Sequence, residues 1–265
     1  MKRFILLAAL IILSKIIFGQ ASSNAQFIEN KGQFLSNVDF KLPLNAGDVY
    51  FEGNTITYNF YEKGKQTAIR HGDSTLNPIT KGHAYKAHFV GANSTCIAKG
   101  ELKNDNFYNY FLGSDSSKWK SHVNSYRKIG FTNLYNNINI KFYKKTKHLK
   151  YDLIIKAGGN PDDIKIFYEG AEKTSLTNGH LHINTSVGKV VEQSPYAYQI
   201  INDKEVKIAC EYVLKQDTLS FNITQPYDTT KELIIDPPIL IFSTYTGSFA
   251  DNWGFTATYD DLGNM

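Results

Sequence analysis

The sequence lacks the motifs from which a catalytic mechanism can be read. It contains no G-x-S-x-G nucleophile elbow, no H-E-x-x-H zinc motif and no Walker or dinucleotide-binding loop. No mechanism of those classes is therefore indicated. Cysteine is also scarce, because Cys96 and Cys210 are the only two, far apart and without metal-ligand spacing. An exported chain could join them, but we expect two unpaired, half-buried thiols.

Long apolar runs and helical periodicity are missing after the N-terminus. The run Phe4–Phe18 is interrupted by Ser14 and Lys15 and is shorter than the roughly 20 residues of a membrane span. Because it follows the basic Met1–Arg3, it predicts a signal peptide over residues 1–25 rather than an uncleaved anchor. No cysteine follows closely, so a lipoprotein anchor is not expected. The predicted localisation is secretion or the outer cell surface.

Charge of one sign is not in excess. Cleavage of the signal peptide would remove Lys2, Arg3 and Lys15 and lower the formal charge from +4 to +1. A near-neutral domain offers no electrostatic case for nucleic acid or an anionic membrane. The five lysines between Lys141 and Lys150 lie at a predicted hairpin tip, where a solvated turn is expected. Nucleic acid is therefore not an expected partner.

Alternating apolar runs are what the sequence has in abundance. In Leu149–Ala171, apolar residues alternate with Lys150 and Asp152, as in a half-buried strand. The Gly-Gly-Asn-Pro turn then ends that strand, and alternation resumes from Ile164 to Tyr168. We expect Ile138–Tyr143 to pair with the first run in an antiparallel hairpin that continues into the second.

The fold class follows from the recurrence of such runs. Methionine occurs twice, whereas 17 tyrosines and 17 phenylalanines accompany strands of Ile, Val and Thr, which favours sheet over helix. Turn signals recur at the intervals of a sandwich. The sequence predicts an all-β, mainly antiparallel β-sandwich over residues 26–236, either one sandwich or two fused ones. The strand at Ala84–Val90 is expected at a sheet edge.

Seven motifs follow one another over nearly the whole mature chain. They are FIENKGQ (Phe27–Gln33), NYFLGSD with a following KW (Asn109–Trp119), NLYNNINIKFY (Asn133–Tyr143), LKYDLIIKAGGNPDDIKIFYEGA (Leu149–Ala171), GHLHINT (Gly179–Thr185), SPYAYQ (Ser194–Gln199) and IDPP (Ile235–Pro238). This ordered set resembles one family, the N-terminal β domain of uncharacterised function that precedes SBBP-type β-propeller repeats in exported Bacteroidetes proteins.

Residues 237–265 resemble a partial first propeller repeat. The Ser-Thr-Tyr strand pattern falls at Ser243–Tyr245 and the closing turn at Asp260–Asn264. Where the family tends to carry two glycines, this chain has Thr246–Ser248. The resemblance implies further repeats, often with a gliding-motility or type IX secretion region, so we expect a truncated product. A lone repeat has no neighbours, which predicts weak order after Pro238.

One aromatic-dense segment, Asn104–Trp119, suggests a sugar-binding site. Tyr108, Tyr110 and Trp119, with Phe111, are candidates for stacking on sugar rings. The alternative is that these rings pack a core or a corner, as aromatic residues mostly do in β proteins. The carbohydrate hypothesis predicts a sugar-binding or glycoside-active sandwich, which in the latter case would need a pair of acids.

Other candidate sites are short patterns. His180 and His182 share a strand face but have no third ligand, so neither a metal nor another cofactor is expected. The pairs Asp162–Asp163 and Asp260–Asp261 belong to turns. Three Asp-Ser/Thr-x sequences resemble the O-glycosylation acceptor pattern of exported Bacteroidetes proteins. Their acceptor residues are Ser74, Thr218 and Thr229.

The function predicted from these observations is that of an exported, non-enzymatic structural or adhesive module. It rests on the signal peptide, the β pattern, the missing catalytic motifs and the family resemblance. The resemblance implies other domains of a longer surface protein as partners, and glycans or cell-surface components are further candidates. The carbohydrate-binding or glycoside-active sandwich is the alternative.

Overall fold

The computed structural model describes residues 25–44, 46–62, 81–145 and 148–237, and the backbone of 241–243. Residues 1–24 of the predicted signal peptide, Ser74 and the aspartates of the predicted repeat lie outside the described residues. No helix long and apolar enough to cross a membrane occurs in the part of the chain that is described.

The protein is an antiparallel all-β sandwich, as the alternating sequence pattern predicts. Two single 3₁₀ turns, Ser116–Lys118 and Pro161–Asp163, interrupt the strands of the described ranges. The strands are β1 (Phe27–Glu29), β2 (Phe40–Leu44), β3 (Gly47–Glu52), β4 (Thr55–Tyr61), β5 (Gly82–Phe89), β6 (Ala98–Tyr110), β7 (Lys120–Tyr135), β8 (Ile138–Lys145), β9 (His148–Ile155), β10 (Ile166–Glu169), β11 (Lys173–Thr177), β12 (His180–Thr185), β13 (Gly188–Glu192), β14 (Tyr196–Ile201), β15 (Lys204–Ile208), β16 (Cys210–Lys215), β17 (Thr218–Ile223), β18 (Leu233–Asp236) and β19 (Ile241–Ser243).

Most strands form one continuous hydrogen-bonded path. Its order is β15-β14-β18-β9-β8-β7-β1-β2-β3-β4-β5-β10-β17-β16, and β6 pairs with β7 beside this path. Strand β7 joins the two halves. Because β6 follows one edge of β7, β1 and β8 must share the other edge, β1 at Ser125–Tyr126 and β8 from Lys128 onwards. The path therefore divides at β7 into two layers.

Aromatic residues fill the space between these layers. Phe51 on β3 lies 5.6 Å from Phe27 on β1 and 5.0 Å from Phe142 on β8, measured between ring centroids. Both pairs meet edge to face, a geometry that aromatic rings favour beyond the gain from burial. All three rings are at most 1% exposed. Strand β8 thus packs across β1 and β3.

The predicted hairpin of β8 and β9 is confirmed, but its predicted continuation is wrong. Ile138 pairs with Ile155 and Lys145 with His148, as the sequence pattern indicates. Strand β10 instead lies between β5 and β17, in the other half of the path. The 3₁₀ turn at Pro161–Asp163 redirects the chain, because proline fixes φ and cannot donate to a ladder.

The predicted edge position of β5 is also wrong. Its neighbours are β4 and β10, so both of its backbone edges are paired. Tyr85, Ala87 and Phe89 point inwards and are buried. The polar residues between them occupy the outer face. Because of these residues, the sequence of β5 resembles that of an edge strand.

A smaller sheet of β11, β12, β13 and β19 completes the molecule. Leu181, Ile183 and Val190 are fully buried and belong to the common core. Strand β19 lies beyond the predicted domain boundary at residue 236. Its backbone pairs with β13, Phe242 opposite Val190.

Candidate functional site

The long hairpin of β6 and β7 carries the aromatic segment that the sequence marks as a candidate site. The two strands pair from Ala98 opposite Phe131 to Tyr110 opposite Lys120, with two register shifts. From Lys120 to Asn124, β7 pairs with β6 alone among the described strands. This end, Phe107–His122, therefore extends past the sheet, and we call it the arm.

Large apolar side chains are exposed on the arm. The exposed fractions are 49% for Phe107, 57% for Phe111, 73% for Leu112 and 41% for Trp119. Phe111 and Trp119 pair at 5.5 Å between ring centroids, and Phe107 stacks on His122 at 4.4 Å. These contacts hold the rings in defined positions while much of their surface stays in water.

The structure does not bring the proposed sugar-stacking residues together as one set. Tyr108 and Tyr110 are half-buried and 6.4 Å apart, with ring planes inclined by 37°. The Tyr108 hydroxyl donates to Gln26, and Tyr110 meets Phe34 edge to face. Trp119 belongs instead to the pair with Phe111. Sugar stacking by Tyr108, Tyr110 and Trp119 remains a prediction.

The tip of the arm has a fixed turn. Asp115 caps the 3₁₀ turn by accepting hydrogen bonds from the Ser117 backbone N–H at 3.1 Å and from its hydroxyl at 2.6 Å. These bonds lower the pKa of Asp115. The Trp119 Nε1 donates to the Gly113 carbonyl at 3.2 Å. The loop that presents Leu112 is thus held by its own side chains.

The first motif of the chain braces the root of the arm. Glu29 Oε1 accepts from the backbone N–H of Asn124 at 2.9 Å and from its Nδ2 at 2.7 Å. Glu29 Oε2 accepts from Tyr126, and Lys31 Nζ donates to the His122 carbonyl at 2.7 Å. Burial raises the pKa of Glu29, but the bonds from Asn124, Lys31 and Tyr126 outweigh this and leave it lowered.

Asn30 closes the loop that carries this brace. Its Oδ1 accepts from the N–H groups of Gly32 and Phe34, and its Nδ2 donates to the carbonyls of Leu35 and Val38. One side chain thereby satisfies four backbone groups that no strand pairs. The loop that follows β1 is therefore a rigid support of the arm.

The family comparison covers this brace and the entire sandwich. Residues 27–238 match a family described as a domain of unknown function, DUF7948. The chain belongs to the DUF7948 family. Neither the curated proteins nor the solved structures contain a match to this chain. The arm and its brace lie inside the DUF7948 domain, and β19 lies just outside it.

His180 and His182 of the DUF7948 domain lie on the outer face of β12. His180 Nδ1 accepts from the Ser194 backbone N–H at 2.9 Å. Burial, together with nearby Lys189 and His180, lowers the pKa of His182. A lysine beside the pair opposes cation binding. The described residues hold no cluster of three or more His, Cys, Asp or Glu side chains suited to a metal ion.

The remaining predicted residues are dispersed. Thr218 begins β17 and is half-buried, whereas Thr229 is exposed in the turn that Asp228 closes by accepting from Thr230. Modification of either residue stays a prediction. Cys96 is buried and Cys210 is partly buried, and both are free thiols.

Sequence reasoning missed the buried carboxyl group of Glu192. Its side chain ends β13, is 5% exposed, and accepts hydrogen bonds from Tyr151 at 3.1 Å and Tyr212 at 3.3 Å. Burial raises its pKa to about 7. The available signal was a glutamate in an inward position, since Val190 and Glu192 share a face of the strand.

Lys150 was predicted to lie on the solvated face of the hairpin, and this is wrong. The residue is 4% exposed, and its Nζ lies 2.5 Å from Asp236 Oδ1. Both faces of β9 are covered near its start, because Asp236 on the neighbouring strand and the Tyr143 ring enclose the lysine.

Proposed function

We propose that this DUF7948 domain is an exported, non-enzymatic structural or adhesive module of a bacterial cell-surface protein. The predicted signal peptide and the missing catalytic motifs support this proposal. Its resemblance to domains that precede SBBP-type repeats in gliding-motility or type IX secretion proteins of Bacteroidetes supplies the context. The single observation that carries the proposal is the arm with its exposed apolar side chains.

The exposed surface of the arm is costly for an isolated domain. A hydrophobic side chain gains about 25 cal/mol for each Å² of apolar surface removed from water. Contiguous apolar surface that stays exposed usually marks an interaction site. Phe111, Leu112 and Trp119 adjoin one another at the tip, and the brace from Glu29 and Lys31 holds their strand in place. A preformed apolar tip loses little conformational entropy when it docks.

The partner that fits this tip is an apolar groove on another protein domain at the cell surface. Aromatic residues that are rigid before binding are typical anchors of protein interfaces. Charge does not dominate the tip, since Lys118 is 3.6 Å from Asp115 and offsets it. The other domains of the same surface protein are the first candidates.

The first experiment compares two double variants of the full-length surface protein in its native host. Phe111→Ser with Leu112→Ser removes two exposed apolar side chains of the tip. Ile200→Ser with Val206→Ser removes a similar exposed pair from β14 and β15, far from the arm along the sheet path. We expect the arm variant to reduce cell adhesion, or the docking of the domain on its neighbours, at least tenfold. The variant of β14 and β15 should leave both unchanged.

Secretion and folding are measured in the same strains. Both variants should leave the cell and show the circular dichroism of the native protein, because the exchanged side chains are exposed. Retention of the mature protein in the cytoplasm would contradict export, and equal losses from both variants would contradict a role of the arm. A glycan array tests the carbohydrate alternative, for which Trp119→Ala would have to abolish binding while folding is unchanged.

A further inference from the structure

Three ionisable side chains lie together where β9 meets β18. Lys150 and Asp152 share one face of β9 because they are two residues apart. Ile235 pairs with Leu153, and continuing this register by one residue places Asp236 opposite Asp152. Lys150 is then the diagonal neighbour of Asp236. Such cross-strand neighbours have side chains within contact distance.

The contact between Lys150 and Asp236 is unusually close and enclosed. Lys150 Nζ lies 2.5 Å from Asp236 Oδ1, and the exposed fractions of the two side chains are 5% and 24%. This carboxylate oxygen is buried and receives no hydrogen bond of ordinary geometry from the described residues. The Tyr143 ring covers the lysine, with Nζ 5.9 Å from its centroid. The amine nitrogen and the carboxyl carbon are thus held together away from water.

Asp152 completes the cluster. Its Oδ1 accepts from the Tyr143 hydroxyl at 2.9 Å. Burial raises the pKa of Asp152, the bond from Tyr143 lowers it, and the charge of Asp236 raises it again. The net effect is a raised pKa for Asp152. A buried ion pair alone gives little stability over apolar residues of similar size, so stability does not account for these groups.

We propose that Lys150 and Asp236 join in a covalent isopeptide bond that ties β9 to the last strand of the DUF7948 domain. One proton moves from Nζ of Lys150 to the Asp236 carboxylate, which converts the ion pair into a neutral amine and a neutral acid. The lone pair of Nζ attacks Cγ of Asp236 and forms the C–N bond. The C–O bond then breaks, one of the two amine protons leaves with the hydroxyl as water, and the other stays on the amide nitrogen. No oxidant, reductant or further reactant takes part.

The fold supplies what this condensation requires. Fixed proximity replaces the collision of two groups, which gives bound reactants a high effective concentration. Exclusion of water opposes hydrolysis of the amide. Asp152 is a positioning residue, since it places a second carboxyl group next to Asp236 and holds Tyr143 against the lysine.

The bond gives the proposed surface module a mechanical role. Asp236 ends the strand from which the chain passes to residues 241–243 and beyond. A pull on that following chain would first open the short ladder of β19 with β13 and then pass through the bond into Lys150 on β9. Strands β10 to β18 lie between the two linked residues and would then stay folded under load. The bond does not depend on the arm, so its test is separate from the test of adhesion.

The experiment measures the intact mass of the full chain under reducing and denaturing conditions. Lys150→Arg provides the unlinked reference, because arginine keeps the charge but its delocalised guanidinium is always protonated and is not a nucleophile. We expect the wild-type chain to be lighter by one water than its calculated sequence mass, and Lys150→Arg to have its full calculated mass. Asp236→Asn should lose one ammonia instead of one water, which identifies the carbonyl carbon that is attacked.

Peptide mapping and kinetics complete the test. Trypsin should not cleave after Lys150 in the wild-type chain, and its peptide should remain joined to the one containing Asp236. Lys41 and Asp48, also an ion pair at 3.0 Å but with a lysine that is 22% exposed, should stay unlinked. In chains that fold for the first time from an unlinked, denatured preparation, Asp152→Asn should slow the loss of water at least tenfold while the native circular dichroism appears at the usual rate. A folded wild-type chain with its full calculated mass and normal cleavage after Lys150 would overturn the proposal.

Discussion

Glu192 is a carboxyl group enclosed by tyrosines from several strands. Tyr151 and Tyr212 donate hydrogen bonds to it. Burial raises the pKa values of Tyr58, Tyr85 and Tyr168, and the charge of Glu192 raises them further. Tyrosine hydroxyls stabilise the carboxylate only in part, and burial remains the stronger effect, with a pKa of about 7 against an ordinary value of 4.5. The folded protein therefore holds a proton that the unfolded chain releases.

We predict that stability falls as pH rises from about 4.5 to about 7. Below this window Glu192 is protonated in both states, and above it the folded state bears a buried charge. The slope is about 1.4 kcal/mol per pH unit, which gives a loss of roughly 3 kcal/mol across the window. Urea titrations of the wild type and Glu192→Gln at several pH values measure this, and the variant should lack the decline. Glu211→Gln, exposed on the strand of Tyr212, is the control, and a wild-type slope in Glu192→Gln would refute the assignment.

Single residues also show the limit of sequence reasoning. The alternation of Leu149, Leu153 and Ile155 correctly gives the buried face of β9. The same alternation places Lys150 in water, because it cannot show that Asp236, far along the chain, arrives beside it. The partners of a buried charge are set by strand order, which local periodicity does not contain.

At the scale of elements, the sequence predicts strands and local hairpins better than sheet order. The hairpins β3–β4 and β8–β9 follow from a short turn between two alternating runs. The transfer of β10 to the far half of the path does not, since a run of four residues fits many neighbours. The sequence shows that the arm is rich in aromatic residues. Its two ring pairs, Phe111 with Trp119 and Phe107 with His122, depend on the register of β6 and β7, which shifts twice.

The β6–β7 hairpin needs glycine at position 100. A Cβ atom at Gly100 would lie 2.5 Å from two atoms of the Tyr126 ring, well inside van der Waals contact. The ring cannot retreat easily, because Phe40 packs against it at 5.8 Å and Glu29 binds its hydroxyl. We expect Gly100→Ala to lower the free energy of unfolding by about 1–3 kcal/mol, the usual cost of overpacking.

Gly82→Ala is the matched control for this variant. The nearest atoms to a Cβ at Gly82 lie at 3.4 Å, an ordinary contact. Chemical denaturation should show a change below about 1 kcal/mol for this variant. If both variants unfold at the same denaturant concentration as the wild type, the close packing of Tyr126 over Gly100 is refuted.

At the scale of the whole molecule, chain connectivity closes one layer on the other. Strands β15 and β16 stand at opposite ends of the long path, yet only Ala209 separates them in sequence. Strand β7 makes the second connection between the layers. The small sheet joins this assembly through Glu192 and the tyrosines, so its strands share the core of the large path.

The small sheet also decides how the DUF7948 domain continues into the following chain. The consecutive prolines after Asp236 predict a boundary, and weak order was expected beyond them. The structure instead pairs Ile241–Ser243 with β13, which lies next to the buried Glu192. Three paired residues on a sheet edge are a short ladder, so this strand should open more easily than the core.

We therefore predict that Phe242→Pro releases β19 and leaves the sandwich folded. Proline removes the backbone donor and fixes φ, so it cannot replace a residue inside a ladder without breaking it. Hydrogen exchange of the full chain should show faster exchange in residues 241–243 and at the amides of β13 that face them. Exchange in β8 and β9 should not change, because the pairing of those strands does not involve β19. Phe242→Val keeps the donor and should exchange like the wild type. Faster exchange throughout β8 and β9 in Phe242→Pro would show that β19 is an integral part of the core. No change in exchange at any amide would show that β19 does not pair with β13 in solution.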